Sequence, residues 1–345
     1  MNKFNLNQNQ FSDFINLSNK VFNPLKNFVN KDEFIKILKI SKYKKSYFPF
    51  PIFFGINKKK YELYKREKEL IFFYQGQKIA KIKNLKFYSV DKEIFGRKIF
   101  GKNFHKHPYF QKFKMENHKF LNFKFEKIYI KKVNKNLFIS PKIFKKKRIN
   151  KPIASFHTRN VPHNCHKWIH EYLIKKYKSL LIQPLIGQYK KGEYKDNVIL
   201  SLNKEIINSY KNKKNIFVIP FFSYPRYGGP REAALHALVR KNYGCTHFWV
   251  GRDHAGYKNF YKKFESQKFC KKNENNLGIK IIAKNEPYYC KNKKKVIDNC
   301  KCKKNCKVKI SGSMIRKLIL KKSKIPKELM LESLSRKLTS KSLIS

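Results

Sequence analysis

The sequence predicts an α/β protein: a mainly β N-terminal domain, residues 1–148, followed by a domain built on a parallel sheet, residues 149–345. Three observations carry this. Beyond Lys151, short apolar runs alternate with helix-like stretches, the pattern of strands joined by helical crossovers. Before it, apolar and polar residues alternate in strand fashion, most clearly over 120–130. Between the two lies the basic run Lys145-Lys146-Lys147-Arg148, a natural boundary. The 345 residues are ample for two cores, and 41% are hydrophobic.

In order, residues 32–40 read as a short helix, and Leu70–Phe73 with Lys78–Ile82 as two strands around Gly76. In the second half, strands are predicted at 152–156, 180–186, 215–221, 246–250 and 279–283. A helix begins at Gly229-Pro230, since proline fits a first turn, and Gly244 ends it. Helices on both faces of the sheet would leave the strand carboxyl ends open, where such folds bind ligands.

Two segments that follow predicted strands carry the chemistry. His157-Thr158-Arg159-Asn160-Val161-Pro162-His163-Asn164-Cys165-His166 reads as strand end, tight loop and helix start. Unpaired N–H groups and the positive dipole end of a first helical turn suit phosphate. His163 and His166 are three apart and share a face. Arg159 supplies a planar multi-donor, with Asn160 beside it. One histidine alone is more often structural; a pair after Arg-Asn favours a nucleoside triphosphate site. Gly251-Arg252-Asp253-His254-Ala255-Gly256 reads as an anion loop whose glycines admit a ligand close to the backbone. His236 and His247, within a predicted helix and strand, are scored as structural.

These segments resemble those of the ATP sulfurylase (sulfate adenylyltransferase) family. Arg226-Tyr227-Gly228-Gly229-Pro230-Arg231-Glu232-Ala233 and Arg240–Phe248 are similar to its intermediate motifs, and Ile310-Ser311-Gly312-Ser313 with Arg316 to a late one. The resemblance implies a PUA-like first domain and a Rossmann-like nucleotidyltransferase domain. It implies the conversion of ATP and sulfate to adenosine 5′-phosphosulfate and pyrophosphate, or the reverse in sulfur oxidation. Thr158, Arg159, Asn160, His163 and His166 would be catalytic; His157, Arg159 and Ala255 would hold sulfate. ATP would meet His157, Thr158, Arg159, Asn160, Gly251, Arg252, Asp253, His254 and the Tyr288 backbone, with Mg2+ accompanying it. Differences from the usual pattern are His157 for Gln, Pro162 one place late, Cys165 for a small residue and Lys258 for Gly.

Seven cysteines, four of them near the end, favour a reducing compartment over a disulfide framework. Some relatives bind a structural zinc in this region, and Cys290, Cys300, Cys302 and Cys306 supply four thiolates for one here. The formal charge of +59 would suit nucleic acid, but of 81 basic residues only ten are Arg, and the lysines are spread among Asn, Ile and Phe. Compositional bias explains that better than specific nucleic-acid binding. The alternative is a basic RNA-binding protein on a decayed nucleotidyltransferase scaffold. No apolar run spans a membrane and no secretory h-region opens the chain, so the expected setting is the cytoplasm, or an organelle's stroma or matrix. A homo-oligomer is expected.

Overall fold

The computed structural model describes residues 2–130, 138–147, 149–187, 190–302 and 304–345. Arg148, the last residue of the expected first domain, lies outside them.

In the first half a five-stranded sheet runs in the order Lys3–Asn5, Glu69–Tyr74, Gln77–Tyr88, Lys119–Ile128, Gly55–Ile56. Its first pairing is parallel and the rest are antiparallel. The strands read at 70–73, 78–82 and 120–130 all lie in this sheet, and the helix read at 32–40 is Lys31–Ile40. Four further helices pack with it: Gln8–Ser18, Lys58–Tyr64, Lys92–Phe100 and Pro108–Glu116. Their local signals are polar caps. The Asn7 and Asn30 side chains each accept from the backbone three residues on, where Gln10 and Glu33 return the bond. Rings fill the core; Phe54 stacks on Phe72 at 5.2 Å.

The second half is a parallel sheet in the order Ile216–Val218, Ser179–Ile186, Ile153–Thr158, His247–Trp249, Lys280–Ile282. Every residue of Ser179–Ile186 is buried, as a central parallel strand requires. The run expected as one strand at 215–221 divides, because Pro220 cannot donate to the ladder; Phe221–Phe222 pairs separately with the end of Ser179–Ile186. The strand order reverses direction between Ile153–Thr158 and His247–Trp249, whose carboxyl ends therefore flank the topological switch point.

The halves are joined by buried polar contacts. Arg226 forms an ion pair with Asp13, both nearly inaccessible. Arg231 donates to the carbonyls of Ile37, Leu38 and Pro49 at 2.9–3.2 Å. One apolar cluster runs from Phe4 through Phe113 to Leu181 and Leu238.

Candidate nucleotide and oxyanion site

The first loop leaves the Ile153–Thr158 strand and turns at once, with Thr158 Oγ1 accepting the Asn160 N–H at 3.0 Å. The helix Asn164–Lys176 begins with His163 in the capping position. Helical spacing brings the rings of His163 and His166 into a stack, centroids 3.7 Å apart. Burial holds His163 down to about 3 and His166 well below the ordinary imidazole value, so both are neutral at pH 7. Their buried Nδ1 atoms have no protein partner, as do few polar atoms in a folded interior. The late segment closes on this loop: Arg316 donates to Asn160 Oδ1 at 3.1 Å and to Glu193 at 2.8 Å. Gly312 lies so close that a Cβ there would sit 2.3 Å from Asn160 Oδ1.

The second loop leaves the His247–Trp249 strand on the other side of the switch point. Gly251 faces open space. Arg252 pairs with Asp253 at 2.6 Å and Glu286 at 3.1 Å. Ser266 and Gln267, from the helix Glu265–Lys272, hold the carbonyls of His254 and Val250 at 2.8 Å each. Ala255 takes a positive φ of 57°, and Lys258 one of 46°, where the family's glycine would be less strained.

Between the loops lies a cavity of about 220 Å3, lined by His157, Asn160, His163, His166, Gly251, Arg252 and His254, with apolar walls from Trp249, Ile169 and Ile310. Larger clefts occur elsewhere, one of about 950 Å3 near Lys322 and Arg336, but neither loop lines that one. Behind the cavity, the helix Gly229–Asn242 presents Glu232, His236 and Arg240 four residues apart on one buried face. Arg240 is fully buried and donates to His157 Nδ1 at 2.6 Å and to the His236 carbonyl at 3.1 Å. The same Nδ1 lies 3.1 Å from the Gln183 carbonyl oxygen, which only accepts, so this ring nitrogen is held between a donor and an acceptor. His236 and His254 face each other at 3.0 Å.

His157, His236 and His254 are close enough to share a metal ion. Charge decides otherwise. The Arg240 guanidinium, 2.6 Å from His157 Nδ1, would repel a cation held there. The same charge favours an anion.

A separate three-stranded sheet, Lys295–Ile297, Tyr288–Cys290 and Lys307–Val308, carries Cys290, and the connection between its strands carries Cys300, Cys302 and Cys306. The Sγ atoms of Cys290, Cys300, Cys302 and Cys306 all lie within 4.8 Å of one another. Cys290 to Cys302 is 3.9 Å and Cys300 to Cys306 is 3.6 Å. A tetrahedron with Zn–S bonds of about 2.3 Å has an edge of about 3.8 Å, so the donor set fits zinc. A hydrogen bond from Tyr288 holds the Cys300 thiol down at about 6.

A family profile described as ATP-sulfurylase matches residues 140–341, and one described as PUA-like domain matches residues 1–121. The chain belongs to the ATP-sulfurylase family. Its relatives include a sulfate adenylyltransferase of Carboxydothermus hydrogenoformans, 29% identical over 94% of this chain and 88% of the relative. Another is that of Ignicoccus hospitalis, 28% identical over 92% and 85%. Among solved structures, the one named hexameric APS kinase from Thiobacillus denitrificans superposes with a TM-score of 0.73 at 13% identity. It covers 97% of this chain, which spans 62% of that one, and shows the fold alone.

Of the residues expected in the site of this ATP-sulfurylase-family chain, His157, Asn160, His163, His166, Gly251, Arg252 and His254 come together around the cavity. Thr158, Arg159, Asp253 and Ala255 belong to the same loops without lining it. Arg159 instead reaches Tyr227, 3.1 Å from its hydroxyl. The Tyr288 side chain turns to the cysteines, and its neighbour Pro287 lines the cavity. Reading missed Arg240, Lys284 and Glu286, and scored His236 as structural, although it stands against His254. The available signal was the polar stripe Glu232, His236, Arg240 in a helix otherwise rich in Ala and Leu.

Proposed function

We propose that this chain is a sulfate adenylyltransferase, joining ATP and sulfate to give adenosine 5′-phosphosulfate and pyrophosphate. The observation that carries it is the meeting of two donor-rich loops at the switch point of a parallel sheet. The names of its relatives support it. The pocket's histidines, Arg252 and Lys284, with Arg240 behind them, suit an anionic substrate better than the decayed RNA-binding scaffold would. The test is molybdate-dependent release of pyrophosphate from ATP by the purified protein.

Sulfate is already ionised, so the reaction needs no general base. Its barrier is the approach of a dianion to a polyanionic triphosphate, and catalysis is positioning plus charge neutralisation. In this reading Arg159, His157 and the Ala255 backbone hold sulfate. Thr158 fixes the turn that presents Asn160, as its bond to that N–H supports. His163 and His166, neutral and with unpartnered nitrogens, donate to the triphosphate as charge develops on pyrophosphate. Gly251, Arg252, Asp253 and His254, with the backbone near Tyr288, enclose the nucleotide. Glu286 and Asp253 are engaged by Arg252, so Mg2+ enters with ATP as part of the substrate. Cys290, Cys300, Cys302 and Cys306 hold a structural zinc outside the cavity lining.

The boundary at 148/149, a homo-oligomeric state and a cytoplasmic or organellar setting belong to the same proposal. Among the described residues, no helix is long and apolar enough to cross a membrane.

A further inference from the structure

Two of the three groups assigned to sulfate are tied to one short strap, residues 226–229. Arg159 Nη1 donates to the Tyr227 hydroxyl at 3.1 Å, and its guanidinium lies 5.5 Å from the centre of that ring. The Ala255 carbonyl accepts the Gly229 N–H at 3.0 Å. The strap is fixed from within the fold. The N–H groups of Arg226 and Gly228 both donate to the Glu232 carboxylate at 2.9 Å.

Tyr227, between them, takes a positive φ of 52°. Such a conformation costs free energy in a residue with a side chain and persists only where the surroundings impose it. Tyr261 imposes it. Its hydroxyl lies 2.8 Å from the Tyr227 carbonyl and 3.2 Å from the Ile99 carbonyl of the first half. Its ring occupies the space a Cβ on Gly229 would need, 2.4 Å away.

The chemistry of the partner matters. Arg226, Arg252 and Arg316 each pair with a carboxylate. Among the described residues, Arg159 is oriented by a phenol instead. A carboxylate would aim the guanidinium but neutralise it; a neutral hydroxyl aims it and leaves its charge for a dianion. We propose that Tyr227 is the positioning residue of the sulfate subsite, aiming Arg159 through its hydroxyl while the strap sets Ala255 beside it. This rests on the sulfate reading above.

The experiment is a double-mutant cycle on Tyr227→Phe and Arg159→Ala, read by equilibrium titration of the full chain with sulfate in the presence of a non-hydrolysable ATP analogue, and by steady-state kinetics. Tyr227→Phe keeps the ring and should weaken sulfate binding about tenfold. KM for sulfate should rise in parallel, with KM for ATP within about twofold of the parent. In the Arg159→Ala background, Tyr227→Phe should cost nothing more, since the hydroxyl then has no guanidinium to aim. Tyr261→Phe should shift sulfate binding in the same direction. Unchanged sulfate affinity in Tyr227→Phe, or losses that simply add in the double variant, overturns the proposal. Coupled losses in sulfate binding without turnover by the parent chain would uphold the positioning role and reject the reaction.

Discussion

Arg159 and Asn160 sit side by side in sequence, yet different parts of the fold hold them. Arg159 depends on Tyr227, and Asn160 on Arg316 and the bare backbone of Gly312. Removing the Arg159 guanidinium should cost about 10²–10³ in rate, the usual loss of one directed donor from an oxyanion site. Arg159→Ala should leave circular dichroism unchanged, because the Glu232 carboxylate on which it acts through space keeps its bonds to the Arg226 and Gly228 N–H groups. Near-parental turnover would remove Arg159 from the chemistry. Gly312→Ala tests the other side. Its methyl would sit 2.3 Å from Asn160 Oδ1, so Asn160 must move. A displacement of that order in a positioned donor should cost about 10- to 100-fold in turnover. If kinetics match the parent, Asn160 is not required in its present place.

At the scale of elements, the sequence was most legible where periodicity and chemistry agreed. The five strands expected in the second half appear at their places, with Pro220 dividing one. Both anion loops fall at strand carboxyl ends because strand and loop are contiguous in the chain. What periodicity hid was long-range pairing. That Arg240 would meet His157, or Arg316 meet Asn160, depends on elements 83 and 156 residues apart. In the first half, lysine-rich helices such as Lys58–Tyr64 lack a clear apolar stripe, and only caps such as Asn57 mark them. The cysteine sheet is an intermediate case: crowding of thiols was visible, their convergence was not. Purified protein should carry one zinc per chain, and Cys302→Ser should release it. Because the sheet is short and has little apolar core of its own, metal loss should lower the unfolding temperature, while kcat changes less than about threefold. Metal analysis of protein prepared without chelators gives the direct reading, and absence of zinc there removes the metal from the proposal.

Over the whole molecule, the lysine charge dominates composition, but the interior sets the response to pH. Burial pushes His163, His170 and His254 down to about 3, and His107 to about 4. His157, His166 and His236 are also held well below the ordinary value of 6.5. In the unfolded chain these imidazoles take up protons near pH 6.5, whereas in the folded chain they stay neutral. Below that pH the unfolded state therefore binds more protons, and stability must fall as pH falls toward the folded values. Above it both states are neutral and the histidines contribute no slope. Asp13 and Glu232, raised by burial, act with the opposite sign above the ordinary carboxyl range, but they are two carboxyls against seven imidazoles. Each fully depressed histidine contributes a slope of about 1.4 kcal/mol per pH unit in this window. Urea unfolding followed from pH 8 to pH 5 should thus show a plateau and then a steep loss, with net proton uptake on unfolding of more than one. A midpoint that stays level down to pH 5 would mean that these histidines are hydrated in solution, and that the pocket lined by His157, His163, His166 and His254 is not the dry anion site its geometry describes.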